Sequence, residues 1–458
     1  MTVAGNAEIS ESIASWIERT TNATLVSAER LPGGLSRRAY HIVLRLNLQG
    51  DTEDLVLLLQ EDSQTGSGNA QDARILSLLA GTSIKVPLVR AFDEKSSALL
   101  VEKLPGTSDF NIITNEESRY IVTEELMQNL GLLHNLDIVV FSEQGIALPE
   151  SINQCARQLL EPTIAIYRSN KDLCDPLFEV AISWLLNHLP EGAGRISLVH
   201  GDIGPGNFLF DGESMSGIVD WETSHLGDPM EDLARICIRS MSVPMGSVQK
   251  LISVYSRYSQ IRIDRERLIF YILLTLVRSS LLIRQSLGAA NPSVDAPQKY
   301  MYEALLMRAA SDILLAEHKL AQHGTPPLSP SDVDTPNWVF DSLLQEIEEG
   351  IDPIVTDRWA VERVTWIKRM VRFIADRESF ATAYACEESN DIEELVGRSF
   401  LTTDEGQVYL NSYAKHIYDQ RPDQMVRYIS RRMARVCQLR RSLMGQLFDR
   451  RIDSLDFL

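Results

Sequence analysis

Positive charge is in short supply in this chain. Its 458 residues hold 44 Lys and Arg against 63 Asp and Glu, a formal net charge of −19. Phosphate backbones are gripped by concentrated Lys and Arg, so no nucleic-acid partner is expected, although a locally basic pocket for a small anion stays open. Cysteine is also sparse. Cys155, Cys174, Cys237, Cys386 and Cys437 are far apart and never form a CxxC pair. That pattern argues against a disulfide framework or a zinc site and points to reduced thiols in a cytoplasmic protein. Long apolar runs are missing. The longest, Leu268 to Val277, is too short for a bilayer and is followed by Arg278, so no membrane is expected as a partner. The opening MTVAGNAEISES has neither a basic nor an apolar region, and no signal peptide is expected. GxSxG, the Walker lysine loop, HExxH and the dinucleotide fingerprint are absent, which removes the residues a hydrolase or dehydrogenase would need.

What is present is an ordinary globular composition, 44% hydrophobic and 23% charged, at a length that implies two or three domains. Residues 8–20 read as a short amphipathic helix, and the rest of 1–104 reads in strand fashion around one embedded helical pattern, AQDARILSLLAG. Residues 105–322 are mostly helical, except for short strands over 196–222. The stretch HGTPPLSPSDVDTPN, 323–337, reads as a linker because its prolines cannot continue a helix. Residues 338–458 read as almost wholly helical.

The strand-like interruption carries the chemistry. VHGDIGPGNFLFD, Val199 to Asp211, is followed by IVDWE, Ile218 to Glu222. Asp202, Asn207 and Asp220 form a set of hard oxygen ligands on and after a glycine-rich loop. Mg²⁺ favours such ligands, and a further carboxylate beside it can take the proton of a substrate hydroxyl. A lone Asp or Asn in such a loop is usually a turn former. Three motifs in order carry more weight.

The spacing of His200, Asp202 and Asn207 matches the protein-kinase catalytic loop. HGDIGPGN, VDWE and GDPMEDLA, the last from Gly227 to Ala234, resemble the aminoglycoside phosphotransferase/choline kinase-like family, small-molecule kinases of the protein-kinase fold. The resemblance implies an α+β, two-lobed fold with a small β-rich N-lobe (1–104) and a helical C-lobe (105–322), to which 338–458 adds an all-α domain. It implies ATP as phosphoryl donor, with GTP not excluded, Mg²⁺ as cofactor and a small-molecule hydroxyl substrate. Asp202 would be the catalytic carboxylate, with His200 bracing its loop. Asn207 and Asp220 would hold the metal. Asp228 and Asp232 would be structural acids, with Asp228 capping the next helix and tying it to the loop. Backbone groups of Glu102, Lys103 and Leu104 would receive the base, and Gly33 and Gly34 would form the glycine turn.

The pattern departs from the family at one place. The third strand, DLVLLLQED, has no Lys or Arg to grip phosphates, and Asp72 stands where a helix Glu is usual. Arg45, Arg37 or Arg38 is expected to supply that charge. The alternative is a nucleotide-binding pseudokinase or scaffold. His134, His225 and Trp221 read as structural. Finally, Arg431, Arg432, Arg435, Arg440 and Arg441 cluster on a helical pattern near the C-terminus. They are expected to pair with the protein's own acids, and a homodimer built through the C-terminal helices is a further expectation.

Overall fold

A computed structural model describes residues 9–31, 37–46, 50–60, 68–170, 173–288, 295–321, 338–453 and 455. The chain opens with α1 (Glu11–Thr21), whose first turn is capped by Ser10 accepting from the Ile13 amide and whose end is turned by Asn22 in the left-handed region. Five strands follow: β1 (Thr24–Arg30), β2 (Arg37–Arg45), β3 (Thr52–Gln60), β4 (Val89–Asp93) and β5 (Ala98–Glu102). They make one antiparallel sheet in the order β1-β2-β3-β5-β4. Alternation decides its two faces. Tyr40, Ile42, Leu44, Leu55, Leu57 and Leu100 are buried with Ile13 and Ile17 of α1. Ala39, Val56, Leu58 and Val101 face the other way and line a cavity. The apolar run in β3 therefore serves both faces. Between β3 and β4 lies α2 (Gly68–Leu79), which buries Ile75, Leu76 and Leu79 together with two polar residues, Asn69 and Asp72.

Beyond β5 the chain is mostly helical. Asn115 caps α3 (Glu116–Leu133), which packs on the helix Val248–Ser259 at a point where a Cβ on Gly131 would lie 2.8 Å from Tyr258 Cβ. A short α4 (Val139–Glu143) follows, then α5 (Ile152–Ser169) and α6 (Pro176–Asn187). Two small antiparallel pairs form next. Strand β6 (Ser197–Val199) pairs with β9 (His225–Gly227), and β7 (Phe208–Asp211) pairs with β8 (Ser214–Ile218). Then come α7 (Met230–Ser242), α8 (Val248–Ser259), α9 (Arg265–Leu287) and α10 (Ala296–Glu317). The C-terminal part is helical among its described residues: α11 (Trp338–Glu346), α12 (Arg358–Val396), α13 (Thr403–Gln420), α14 (Pro422–Leu439) and α15 (Arg441–Met444).

The residues divide into two groups. One draws on Met1–Cys155, Gly192–Leu268 and Asp453–Leu458, the other on Ala156–Glu191 and Ile269–Ile452. The second group is built on α6, α10, α12, α13 and α14, and buried ion pairs run through it. Asp175 caps α6 and sits 3.0 Å from Arg432 and 3.3 Å from Arg284. Arg435 is 2.5 Å from Glu388 and 2.6 Å from Asp391, Arg431 is 3.0 Å from Asp391, and Arg440 is 2.6 Å from Glu303. Four of the five clustered arginines thus neutralise acids of the same group, and Arg441 lies over the Phe448 ring. These arginines are engaged with residues of their own group. The expected linker falls outside the described residues, as do Gly33 and Gly34.

Candidate active site

Every candidate residue that is described lies in the first group. The loop from His200 to Asn207 leaves β6 and returns into β7, and it turns on glycines at 201, 204 and 206 with φ of +81°, +134° and +100°. Only glycine takes such angles without strain. A carboxylate at the start of α7 fixes the loop. Asp232 accepts from the His200 and Gly201 amides, both at 2.9 Å, and is 3.1 Å from His134 Nε2. His134 Nδ1 is in turn 2.7 Å from the Tyr255 hydroxyl. Asp232 is fully buried. Burial pushes its carboxyl up, but His134 and the loop partners outweigh this and hold it below the usual carboxylate range. The expected tie through Asp228 needs correction on this point. Asp228, just before α7, does accept from the Met230 amide at 3.0 Å, but its second partner is Arg267 at 2.6 Å. The acid four residues on, one helical turn later, makes the tie. His200 is itself buried and its ring braces the loop: Nε2 lies 3.0 Å from Val219 O, and Nδ1 accepts from the Asp202 amide at 3.2 Å.

Asp202 and Asn207 are held together. Asn207 Nδ2 donates to Asp202 Oδ2 at 2.8 Å and to its carbonyl at 2.7 Å. Both bonds use the amide nitrogen, so Asn207 Oδ1 has no partner among the described residues. Arg239 Nη2 lies 2.7 Å from Asp202 Oδ2, and Arg235 Nη1 lies 3.6 Å from Oδ1. Burial raises the Asp202 carboxyl, but Arg239 and then Arg235 hold it below its ordinary value.

A second cluster faces this one. Arg37, the first residue of β2, is buried and reaches Asp72 at 2.5 Å, Asn69 at 3.0 Å, Glu222 at 3.4 Å and also Asp220. Asn69 is pinned by donating to Leu58 O and Ser97 O. Asp220 holds a left-handed backbone at φ 68°, uncommon for a non-glycine residue. Three carboxylates share one guanidinium. Burial, with Asp220 and Glu222 adding to it against Arg37, pushes Asp72 up to about 7. Arg37 goes the other way from the effect of its burial, because Asp72 and Asp220 keep it charged.

Arg37, Asp72, Asn207 and Asp220 line one cavity of about 460 Å³ with Glu102, Lys103 and Leu104. Glu102 gives its amide to Leu88 O at 2.8 Å. Lys103 and Leu104 make no backbone hydrogen bond of that kind among the described residues, so their groups are available to a base. Just beyond them Gly106, at φ +89°, runs so close to the Phe210 carbonyl that a Cβ could not fit.

Of the three arginines expected to supply the strand-three charge, Arg37 is the one at the cavity. Arg45 is at the opposite end of β2, exposed and in register with Thr24 and Thr52, and it does not line the cavity. The expectation for Arg45 is therefore corrected, because a strand carries its two ends apart. Sequence reasoning missed Arg235 and Arg239. Their spacing in EDLARICIRS, one helical turn next to the GDP motif, is the signal that could have found them.

The sequence profile of the phosphotransferase enzyme family (APH) matches residues 27–271, more than half of the chain. The chain belongs to this family. The phosphotransferase is 31% identical over 183 residues, 37% of its length, to acyl-CoA dehydrogenase family member 10 of Mus musculus. It is 27% identical over 171 residues, 34% of its length, to acyl-CoA dehydrogenase family member 11 of Homo sapiens. The matched stretches make up 16% and 21% of those relatives, so the chain spans a small part of their length. A crystal structure of a candidate aminoglycoside phosphotransferase from Ralstonia eutropha JMP134 superposes with a TM-score of 0.52 at 17% identity, covering 66% of this chain and 95% of that one. The phosphotransferase thus has the α+β, protein-kinase-like fold, with a β-rich N-terminal part, a helical remainder and an added all-helical C-terminal part. Among the described residues, no helix is long and apolar enough to cross a membrane.

Proposed function

We propose that this phosphotransferase is a small-molecule kinase that moves the γ-phosphoryl group of ATP to a substrate alcohol, with Asp202 as the catalytic carboxylate. The substrate oxygen attacks the γ-phosphorus and an O–P bond forms. The bond from that phosphorus to the β-phosphate oxygen breaks, ADP leaves with the electron pair, and the hydroxyl proton passes to Asp202. A carboxylate held ionised in the resting enzyme is ready to accept it. One observation carries the reading: Asn207 lines the cavity and also grips Asp202, so the proton acceptor is fastened to the wall of the nucleotide-sized space.

The hinge residues Lys103 and Leu104 offer backbone groups to the base, and Val56, Leu58 and Leu209 offer it apolar walls. Arg37 supplies from β2 the cation missing in β3, and Asp72 plays the part of the helix acid. This favours an active enzyme over a pseudokinase, because the ion pair is displaced along the sequence and not lost.

The donor set fits a divalent cation. Asn207 and Asp220 both line the cavity with oxygen-bearing side chains, and Asn207 Oδ1 is unengaged among the described residues. Asn207 and Asp220 are the residues that would hold Mg²⁺, which when bound neutralises phosphate oxygens. Residues 1–104 and 105–322 serve as the two kinase lobes in this proposal. The unpaired state of all five cysteines is in keeping with a cytoplasmic place.

The C-terminal helices form a homodimer in this reading, supported by exposed Trp338, Leu343, Trp359, Ile367 and Ile374 on α11 and α12. Light scattering on the full chain tests it, with Trp359→Asp expected to shift a dimer to monomer. The kinase reading is tested by a thermal shift with ATP and Mg²⁺, followed by ADP release across a pool of alcohols. Stabilisation without turnover by any alcohol would favour the pseudokinase. No stabilisation would remove the nucleotide site.

A further inference from the structure

Asp202 stands among more positive charge than a proton acceptor needs. Arg235 and Arg239 sit one turn apart on α7 and approach the same carboxylate, at 3.6 Å and 2.7 Å. Arg239 is otherwise engaged: Nη1 donates to Pro205 O at 2.6 Å, and Nη2 also approaches the Asp202 carbonyl at 3.3 Å. Arg235 is different. The long approach to Asp202 is its one partner among the described residues, its buried Nε has no acceptor, and its side chain remains 21% exposed. A guanidinium has five donors in a fixed fork, and leaving them unmet in a half-buried place is costly.

The neighbouring acids are already used. Asp232 is taken up by His134 and the loop amides, and Glu231 by His225 at 3.1 Å. Two guanidiniums and one carboxylate leave a surplus of one positive charge where the acceptor hydroxyl has to come. A cationic alcohol approaching Asp202 meets repulsion there, whereas an anionic one meets an unspent fork.

Building on the kinase reading above, we infer that the acceptor is an alcohol carrying an oxyanion, a carboxylate or a phosphate, which Arg235 receives while the hydroxyl faces Asp202. The separation of roles follows from the geometry. Arg239 keeps Asp202 ionised and in place, and Arg235 holds the substrate charge. Arg–oxyanion pairs are frequently bidentate, so the same contact also orients the hydroxyl.

The test uses the full chain with ATP and Mg²⁺ and follows ADP release for matched acceptors: 3-hydroxybutyrate and its methyl ester, glycerol 3-phosphate and glycerol, and choline. The charged member of each pair is expected to exceed its neutral partner by about tenfold or more in kcat/KM, and the two pairs show which oxyanion is preferred. Arg235→Gln should abolish the preference by raising KM for the charged acceptors far more than for the neutral ones, and Arg235→Lys should restore part of it. A preference for choline or for neutral alcohols overturns the inference, as does an Arg235→Gln effect equal on charged and neutral members. A second readout needs no turnover. At constant ionic strength, sulfate should raise the melting temperature of the wild type but not of Arg235→Gln, and equal responses overturn the inference. Failure of the kinase reading looks different: ATP gives no thermal shift and no acceptor yields ADP.

Discussion

Arg37 at the start of β2 and Asp72 in α2 meet at 2.5 Å with both side chains buried. In the kinase reading, the pair takes the place of the strand-three cation and helix glutamate of kinases of this fold. Arg37→Met is expected to lower kcat/KM for ATP about 100- to 1,000-fold. It should also cost about 1–3 kcal/mol in urea unfolding, since a buried carboxyl loses its partner. The loss stays moderate because Asp72, already pushed up to about 7, takes a proton. The double variant Arg37→Met/Asp72→Asn separates the two roles. Stability should return while ADP release stays low, and recovery of both would mean that Arg37 is only structural.

In the kinase reading, Asp202→Asn removes the proton acceptor but keeps the side-chain shape. ADP release should fall about 100- to 10,000-fold, while the ATP-induced thermal shift persists because Asp202 does not line the nucleotide cavity. A variant with near-normal turnover would take the catalytic role away from this residue.

Asp232 is the fastening of the catalytic loop. Asp232→Ala leaves the His200 and Gly201 amides and the His134 ring without their acceptor. A loss of about 2–5 kcal/mol in chemical denaturation is expected, larger than that for Asp202→Asn, with activity lost in parallel.

Much of the site was legible from residue types at fixed spacing. His200, Asp202 and Asn207 share one loop, so their relation is local and the spacing carries it. The cation was harder to find. Arg37 reaches Asp72 only because β2 and α2 are neighbours in space, and no spacing rule links residues 37 and 72. Arg45 looked equivalent in sequence because it shares β2, but the rise of the strand carries it to the far end. The substitution of Asp232 for Asp228 as the loop anchor is a matter of one helical turn, which the motif alone does not resolve. The grouping of 156–191 with the C-terminal helices is likewise non-local, because it depends on which helix faces pack together. The pairing of the C-terminal arginines with internal acids could be anticipated, since an acidic chain has many partners for buried guanidiniums.

His225 and Glu231 give the protein a pH-dependent increment of stability. Burial lowers the imidazole, but Glu231, 3.1 Å away, outweighs this and brings it up to about 9. A histidine raised on folding stabilises fully below its unfolded value of about 6.5. That contribution is lost as pH rises through about 9. Up to about 3 kcal/mol is therefore expected to disappear between these limits. His225→Gln should flatten the decline in unfolding free energy over this window, and an unchanged slope would show that the pair carries no linkage.

Gly204 leaves the space that Arg239 occupies. A Cβ at this position would overlap Arg239 Cδ, and the backbone lies at φ +134°. Gly204→Ala should push Arg239 away from Asp202. Since Arg239 is the main influence holding that carboxyl low, the carboxyl then rises toward its ordinary value. A proton acceptor with a raised pKa is protonated, and so lost, at higher pH than before, so the acid limb of kcat/KM should move upward. Gly212→Ala supplies the control, because it too has positive φ, at +60°, but meets nothing within 4 Å. It should cost stability without moving the acid limb. If both variants move the limb equally, backbone strain and not Arg239 sets the Asp202 carboxyl. If neither moves it, the acid limb belongs to another group and Asp202 loses its place as the proton acceptor.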